Sequence, residues 1–427
     1  MHAKFTVAAA ALLLTVAHAS AIELKVLVPA QYSPASGFIP GSVVHKDLYA
    51  KFEAQNPDIK LNYEVLDTGP QGLQKILTQA TTNSLPDAAI VDGQWIARLV
   101  QAKALQPLDQ LWPASDRADF HPAVVEAVSI DGKPYAIMFQ TGMRGLLYRP
   151  SVLAAQGEKE FPKTFDDFLK LASKLKDKKV VAELVPAKAT DEPSTMHMLS
   201  IFWGLGGKLV DEHGAPVFFT EENGKALARV YEMYRDLVAK GAMRAEVTTM
   251  DEAALRPFFY GHEVFAMGGS SSNVKQIWSE QPDTVNDLAV AAYPMPGSGK
   301  PVTILGGFTY AITARDPKKV EAAWKFVSFM TAPAQMGAIN EALGQLPVRT
   351  SVWSTNGFFS TNPMMVSYKA MYDGPMQTRP VAPIYTTISS AISSQLPGVI
   401  AGTLSPSDAV NRARDAVMVE FKRQQSR

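Results

Sequence analysis

Cysteine is absent from the 427-residue chain, which excludes disulfides, thiolate catalysis and thiolate metal sites. Charge of either sign is not in excess. Lys plus Arg and Asp plus Glu both total 41, so there is no electrostatic case for nucleic acid or an anionic membrane as partner. Internal repeats, low-complexity tracts and heptads are missing, and so is any apolar run long enough to span a bilayer. The longest apolar stretch is Phe5–Ala17, behind Lys4 and ahead of the small-residue sites Ala17-His18-Ala19 and Ala19-Ser20-Ala21. That layout is a secretory signal peptide over residues 1–21, cleaved before Ile22. With no cysteine after the apolar run, a lipid anchor is not expected. The chain left by cleavage has 406 residues (427 less 21) and belongs in the periplasm as a soluble monomer. That length calls for two or three domains.

Enzyme signatures are also scarce. After the leader only His45, His121, His197, His213 and His262 remain, with no metal-ligand spacing among them. Gly261-His262-Glu263 opens like a zinc-protease helix, but Ala266 stands where the second histidine belongs. The run Ser270-Ser271-Ser272 lacks the closing glycine of a nucleophile elbow. Met196-His197-Met198 offers copper(I) ligand types, but only an extended backbone would align them, and the surroundings read as helix. No metal and no cofactor are expected.

What is present is an α/β pattern. Ile22, Leu24, Val26 and Val28 alternate as a strand; Val44, Leu48 and Phe52 form a helix stripe; Ile59, Leu61, Tyr63 and Val65 alternate again. This is a βαβ unit and predicts a parallel sheet. A helix through Leu73 and Ile76 and a buried strand Ala88–Val91 repeat the theme. Asp131-Gly132 marks a turn, and Tyr135–Phe139 and Gly145–Tyr148 read as strands. Thr164 with Asp167 marks a helix start. From Val180 to Pro301 the pattern reads as mostly helical, broken at Gly204–Gly207 and Gly268-Gly269. Ile304–Ile312 reads as one strand with Gly306-Gly307 inside it. Asp316-Pro317 and Ser405-Pro406 begin further helices. Pro294–Pro301 reads as a linker or exposed loop.

At the chain breaks, aromatic and short polar residues gather: Tyr32-Ser33, Gln94-Trp95, Gln140-Thr141, Trp203-Gly204, Ser270-Ser271 and Gly307-Phe308. Flat apolar faces beside uncharged donors and acceptors suit a neutral hydroxylated ligand. Glycines let the backbone take part. Strand ends of α/β sheets are where such ligands sit. Trp203 and Trp95 are expected to stack on it, and Asp92 is the one acid placed in the cleft.

Several segments resemble the extracellular solute-binding proteins of ABC importers, in particular the family taking maltose, other sugars and glycerol-phosphate compounds. They are Leu48-x-x-x-Phe52-x-x-x-Asn56-Pro57-Asp58, Leu85-Pro86-Asp87-Ala88-x-x-Val91-Asp92, Ala104–Asp109, Asp131–Tyr148 with Phe161–Phe165, Gly306–Phe308 with Ala322–Phe326, and Gly344–Arg349, all in family order. The resemblance implies a two-lobed α/β periplasmic-binding-protein fold (type II, Venus-flytrap) with a multi-strand hinge. Lobe 1 would comprise 22–141 plus 303–332, and lobe 2 142–302 plus 333–427, with crossings near Gln140–Gly142, Val302–Gly306 and Thr331–Gln335. It implies a small-molecule ligand, a carbohydrate, passed to ABC permease subunits in the inner membrane. The implied ligand-binding set is Tyr32, Asp92, Gln94, Trp95, Gln140, Thr141, Trp203, Ser270, Ser271, Gly306, Gly307, Phe308 and Tyr385. Glycerol phosphodiester or a polyamine is the alternative cargo, and an exported lyase or hydrolase the alternative class. Phosphodiester binders of this kind carry an arginine where this chain has Pro383-Ile384-Tyr385-Thr386, which argues against phosphate.

Overall fold

The computed structural model describes residues 21–426; the expected leader lies outside them, apart from Ala21. The strand Ile22–Pro29 forms as its alternation predicts and buries Leu24, Val26 and Val28. It pairs in parallel with Ile59–Leu66 on one side and Ala88–Asp92 on the other. The helices Ile39–Gln55 and Pro70–Thr81 supply the crossovers. Two later strands, Phe308–Ile312 and Ile137–Met138, complete this five-stranded sheet antiparallel to Ala88–Asp92 and to each other respectively. Phe326 of the helix Pro317–Met330 packs edge-on against Tyr49 and Phe52, at 5.6 and 5.3 Å. This is the first lobe.

The second lobe is built on the sheet Ala289–Ala291, Arg144–Tyr148, Val264–Ser270, Val181–Leu184, in that order. Three of those strands lie in the stretch read as mostly helical. Val264–Ser270 is buried at every residue, so its apolar run carries no alternation to tell strand from buried helix. Gly268-Gly269, expected as a break, lies inside it. A Cβ on Gly268 would come within 3.2 Å of the His197 ring, so glycine lets the helix Glu192–Gly204 lie directly on the sheet. The loop Pro294–Pro301 is no free linker. Met295 is buried and bonds through its backbone to Lys163 and Phe165, while Lys300 N–H donates to Gly204.

Between the lobes the expected strand Ile304–Ile312 divides. Thr303–Leu305 pairs with Met376–Thr378, and only Phe308–Ile312 joins the first sheet. The break falls at Gly306-Gly307 because a Cβ on Gly307 would sit 2.0 Å from the Gln140 carbonyl oxygen. Three passages of chain meet there. Thr141 and Leu346 exchange backbone hydrogen bonds of 2.8 and 3.0 Å, and Gly142 N–H donates to Gly306 O at 3.2 Å. Thr141 Oγ1 donates to Gly306 O and accepts from Gly306 N–H, at 3.1 and 3.3 Å.

The expected lobe boundary at 332/333 is corrected. The helix Pro333–Leu343 packs on Ile39–Gln55 in the first lobe, and Asn340 Nδ2 donates to Phe139 O at 2.8 Å. Arg349 lies over Phe120, donates to Thr331 O and pairs with Asp116 and Asp119. Residues 333–349 therefore ride with the first lobe; Gln345-Leu346 touches the hinge in passing, and the chain leaves for the second lobe only after Ser351, which still bonds Asp119, instead of at Thr331–Gln335. The chain is back in the second lobe by Tyr385–Ser393, which packs on Glu192–Gly204.

Candidate ligand-binding cleft

A cavity of about 340 Å³ opens between the lobes beside the hinge, within the range of small-molecule sites. Strand ends make its walls. Asp92 closes one strand opposite Phe308, and Ser270 closes another opposite Arg144. Sheet topology thus aims one edge of each lobe at the same space.

Of the expected residues, Tyr32, Asp92, Gln94, Gln140, Ser270, Gly306, Gly307 and Phe308 line this cavity. Thr141 does not: its hydroxyl is spent on the hinge backbone. Ser271 is buried behind the wall, with its N–H on Met143 O. Tyr385 stands one layer back and donates to Glu192 Oε1 at 2.6 Å. Neither tryptophan offers a stacking face. Trp95 is 3% exposed and sits beneath Gly72, whose Cβ would come within 3.3 Å of the ring. Trp203 is 8% exposed in a helix buried from Ser194 onward. The glycines around it serve packing, since a Cβ on Gly204 would strike Met295 and Lys300 O, and one on Gly207 the Phe202 ring.

The expectation of a neutral cleft with a single acid is overturned. Arg379, 7% exposed, donates through Nη2 to Asp92 Oδ1 at 2.7 Å and through Nη1 to Glu192 Oε1 at 3.3 Å. Burial works against its charge, but Asp92 and Glu192 outweigh that and hold it above the usual arginine value. Asp191 caps the helix by accepting from Ser194 N–H, which sets Glu192 in the first turn, where an acid is favoured. Glu192 Oε2 also takes the Ser389 hydroxyl. The cation sought at 383–386 is therefore present a little earlier in the chain. The cue for it was weak: Arg379-Pro380 has no helix or strand period around it. A Cβ on Gly306 would lie 2.9 Å from the Arg379 guanidinium, so this glycine makes room for a side chain.

Arg144 is the second guanidinium on the wall. Its Nε donates to Glu252 Oε1 at 3.2 Å and its Nη1 to Gly142 O at 3.3 Å. Burial opposes the charge on Glu252, but Arg144 and His197 hold its carboxyl down at about 2. His197 reaches Glu252 through Nε2 at 3.1 Å and the Tyr293 hydroxyl through Nδ1, and burial lowers its own pKa. That engagement within a helix leaves Met196-His197-Met198 without the extended geometry a copper site needs. Among the described residues no cluster of potential metal ligands occurs. Nearer the hinge, Tyr32 OH accepts from Gln140 Nε2 at 3.0 Å and Gln345 Nε2 at 2.7 Å. Gln345 went unrecognised although it lies in the Gly344–Arg349 segment. Gln31, Thr68, Gly142, Pro193, Met196 and Ser272 complete the lining.

This geometry can be set beside known proteins. A binding protein of Brucella abortus is 23% identical over 392 residues, covering 92% of this chain and 91% of its own. The diacetylchitobiose binding protein DasA of Streptomyces coelicolor is 24% identical over 394 residues, covering 89% and 87%. In structure, the chain is similar to the cyclic alpha-maltosyl-1,6-maltose binding protein of Arthrobacter globiformis, with a TM-score of 0.77 at 23% identity over 93% of this chain and 98% of that one. That likeness shows the two-lobed binding-protein fold. Residues 47–365 match the family described as bacterial extracellular solute-binding protein. The match covers most of the chain, and the protein belongs to that family.

Proposed function

We propose that the protein is the substrate-binding component of an ABC importer, which captures a carbohydrate of one or two sugar units between its lobes and hands it to a membrane permease. The observation that carries this reading is the pairing of every charged group around the cleft. Arg379 is matched by Asp92 and Glu192, and Arg144 by Glu252. What is left for a ligand is hydrogen-bonding capacity without a free ion: the amides of Gln94, Gln140 and Gln345, and Asp92 Oδ2, since Gln94 N–H and Arg379 both use Oδ1. Phe308, backed by Tyr32 at 5.0 Å, supplies an apolar face for sugar C–H groups. The relatives named for diacetylchitobiose and cyclic maltosyl-maltose point the same way. The cavity volume sits at the small end of ligand sites, which favours a short sugar. Residues 1–21 are the export signal, and the processed protein works free in the periplasm as a monomer.

One observation favours a second cargo. Two guanidiniums at the cleft could take a glycerol phosphodiester if the ligand displaced their carboxylate partners. Thermal-shift and calorimetric titration with maltose, lactose, diacetylchitobiose, ribitol and glycerophosphodiesters separates the two. A sugar at a hundred times its dissociation constant should add about 2.7 kcal/mol of stability, and the recovered sugar should be unchanged. Stabilisation by phosphodiesters alone would replace the carbohydrate reading, and cleaved sugar would replace binding with catalysis.

A further inference from the structure

Arg379 joins two acids that stand on different lobes. Asp92 ends a strand of the first sheet, and Glu192 begins a helix packed on the second. We propose that Arg379 is a lobe-positioning residue, a clasp that holds the cleft closed in the absence of any solute. Each member is fixed independently. Asp92 is held by Gln94 N–H at 3.0 Å, and Glu192 by the hydroxyls of Tyr385 and Ser389. The guanidinium lies against Gly306, in the hinge itself. Because the two carboxylates belong to different lobes, moving the lobes apart strains this bridge at the 2.7 Å contact to Asp92 or the 3.3 Å contact to Glu192. The side chains of Arg379 and Asp92 are 6% and 15% exposed, so salt screens them far less than a surface pair. The apparent affinity of a solute is its intrinsic affinity scaled by the fraction of protein competent to bind. A clasp that raises the closed population raises affinity by that route, in addition to any hydrogen bond that Asp92 Oδ2 makes to the solute.

The test uses ligand-free protein and so stands apart from the question of which solute binds. The chain has no native cysteine, so Lys60→Cys and Lys225→Cys, at exposed positions on opposite lobes, take spin labels uniquely. The expected result is a shift to longer interlobe distance and larger radius of gyration in Arg379→Met and Asp92→Asn, partly reversed in Arg379→Lys. Lys319→Met, which breaks the Lys319–Asp87 pair inside the first lobe, should leave the distance unchanged. If Arg379→Met does not fold, Asp92→Asn decides, because it takes the charge out of the contact with Asp92, leaves Arg379 paired with Glu192 and keeps the side-chain shape. Unchanged distances in the folded variants overturn the clasp. So does an equal shift in Lys319→Met, which would mark general loosening.

Discussion

Glu183 lies in the core of the second lobe, beside a small cavity lined by Phe165, Phe168 and Tyr234, with Oε2 unbonded among the described residues. Burial pushes its carboxyl up from the ordinary 4.5 to about 8. The fold thus retains a proton that the unfolded chain releases above the ordinary value. The contribution of this group is most favourable below pH 4.5 and declines as pH rises towards about 8, beyond which it is constant. Relative to wild type, Glu183→Gln should remove that decline, a difference on the order of a few kcal/mol, read by urea unfolding across pH 4–9. A parallel pair of pH profiles would show that Glu183 ionises normally. Trp203 illustrates the same dependence on surroundings. With its side chain buried away from the cleft, Trp203→Ala should lower stability by about 3–5 kcal/mol and leave the affinity of the folded fraction for its best sugar unchanged. Reduced affinity in a fully folded sample would return Trp203 to the ligand. Glycines next to an aromatic could not distinguish these roles in sequence, because glycine marks close approach of any kind.

Among elements, the hinge concentrates the largest sequence-to-structure differences. Gly306-Gly307 reads as two weak positions inside a strand, since a pairing partner's position cannot be known from local pattern. The neighbouring passages at Gln140–Gly142 and Gln345-Leu346 make that break obligatory. Thr141→Val keeps the shape but removes the hydroxyl that both donates to and accepts from Gly306. It should cost about 1–3 kcal/mol, the range for a buried polar group that loses its partner, measured by thermal melt. A neutral result would mean that the backbone bonds alone hold the hinge. Gly307→Ala should be worse, because the added methyl meets the backbone of Gln140, which has no side-chain freedom to yield.

For the whole molecule, the charge balance of the sequence is approached at the cleft, where two guanidiniums meet three carboxylates and each of the five is paired. Sugar affinity should accordingly change less than about twofold between 50 and 500 mM salt, because no unpaired ion is available to be screened. Isothermal titration at both salts checks this, and a steep fall would indicate an ionic ligand. The family match places the protein outside the cytoplasm, and among the described residues no helix is long and apolar enough to cross a membrane. Lobe membership along the chain is also a whole-molecule property. Residues 333–349 read from sequence with the second lobe but pack with the first, because Arg349 reaches Asp116 and Asp119, over two hundred residues earlier, and no periodicity encodes such a contact.

Sequence alone determined the features that depend on near neighbours. The parallel strands at Ile22 and Ile59 follow from alternation over eight residues. The helix starts at Thr164, Asp316 and Ser405 follow from side chains that accept the N–H groups two or three residues on. The Asp131-Gly132 turn follows from two residues that tolerate positive φ. Cysteine-free chemistry follows from composition. Tertiary structure decided which of the marked residues share a cavity, which tryptophans are packing, and that Arg379 stands between Asp92 and Glu192. The physical reason is range. Caps and periods are set within one or two turns of chain, whereas the charge in a cleft is the sum of groups brought together from 92, 144, 192, 252 and 379, and that sum exists only once the lobes have formed.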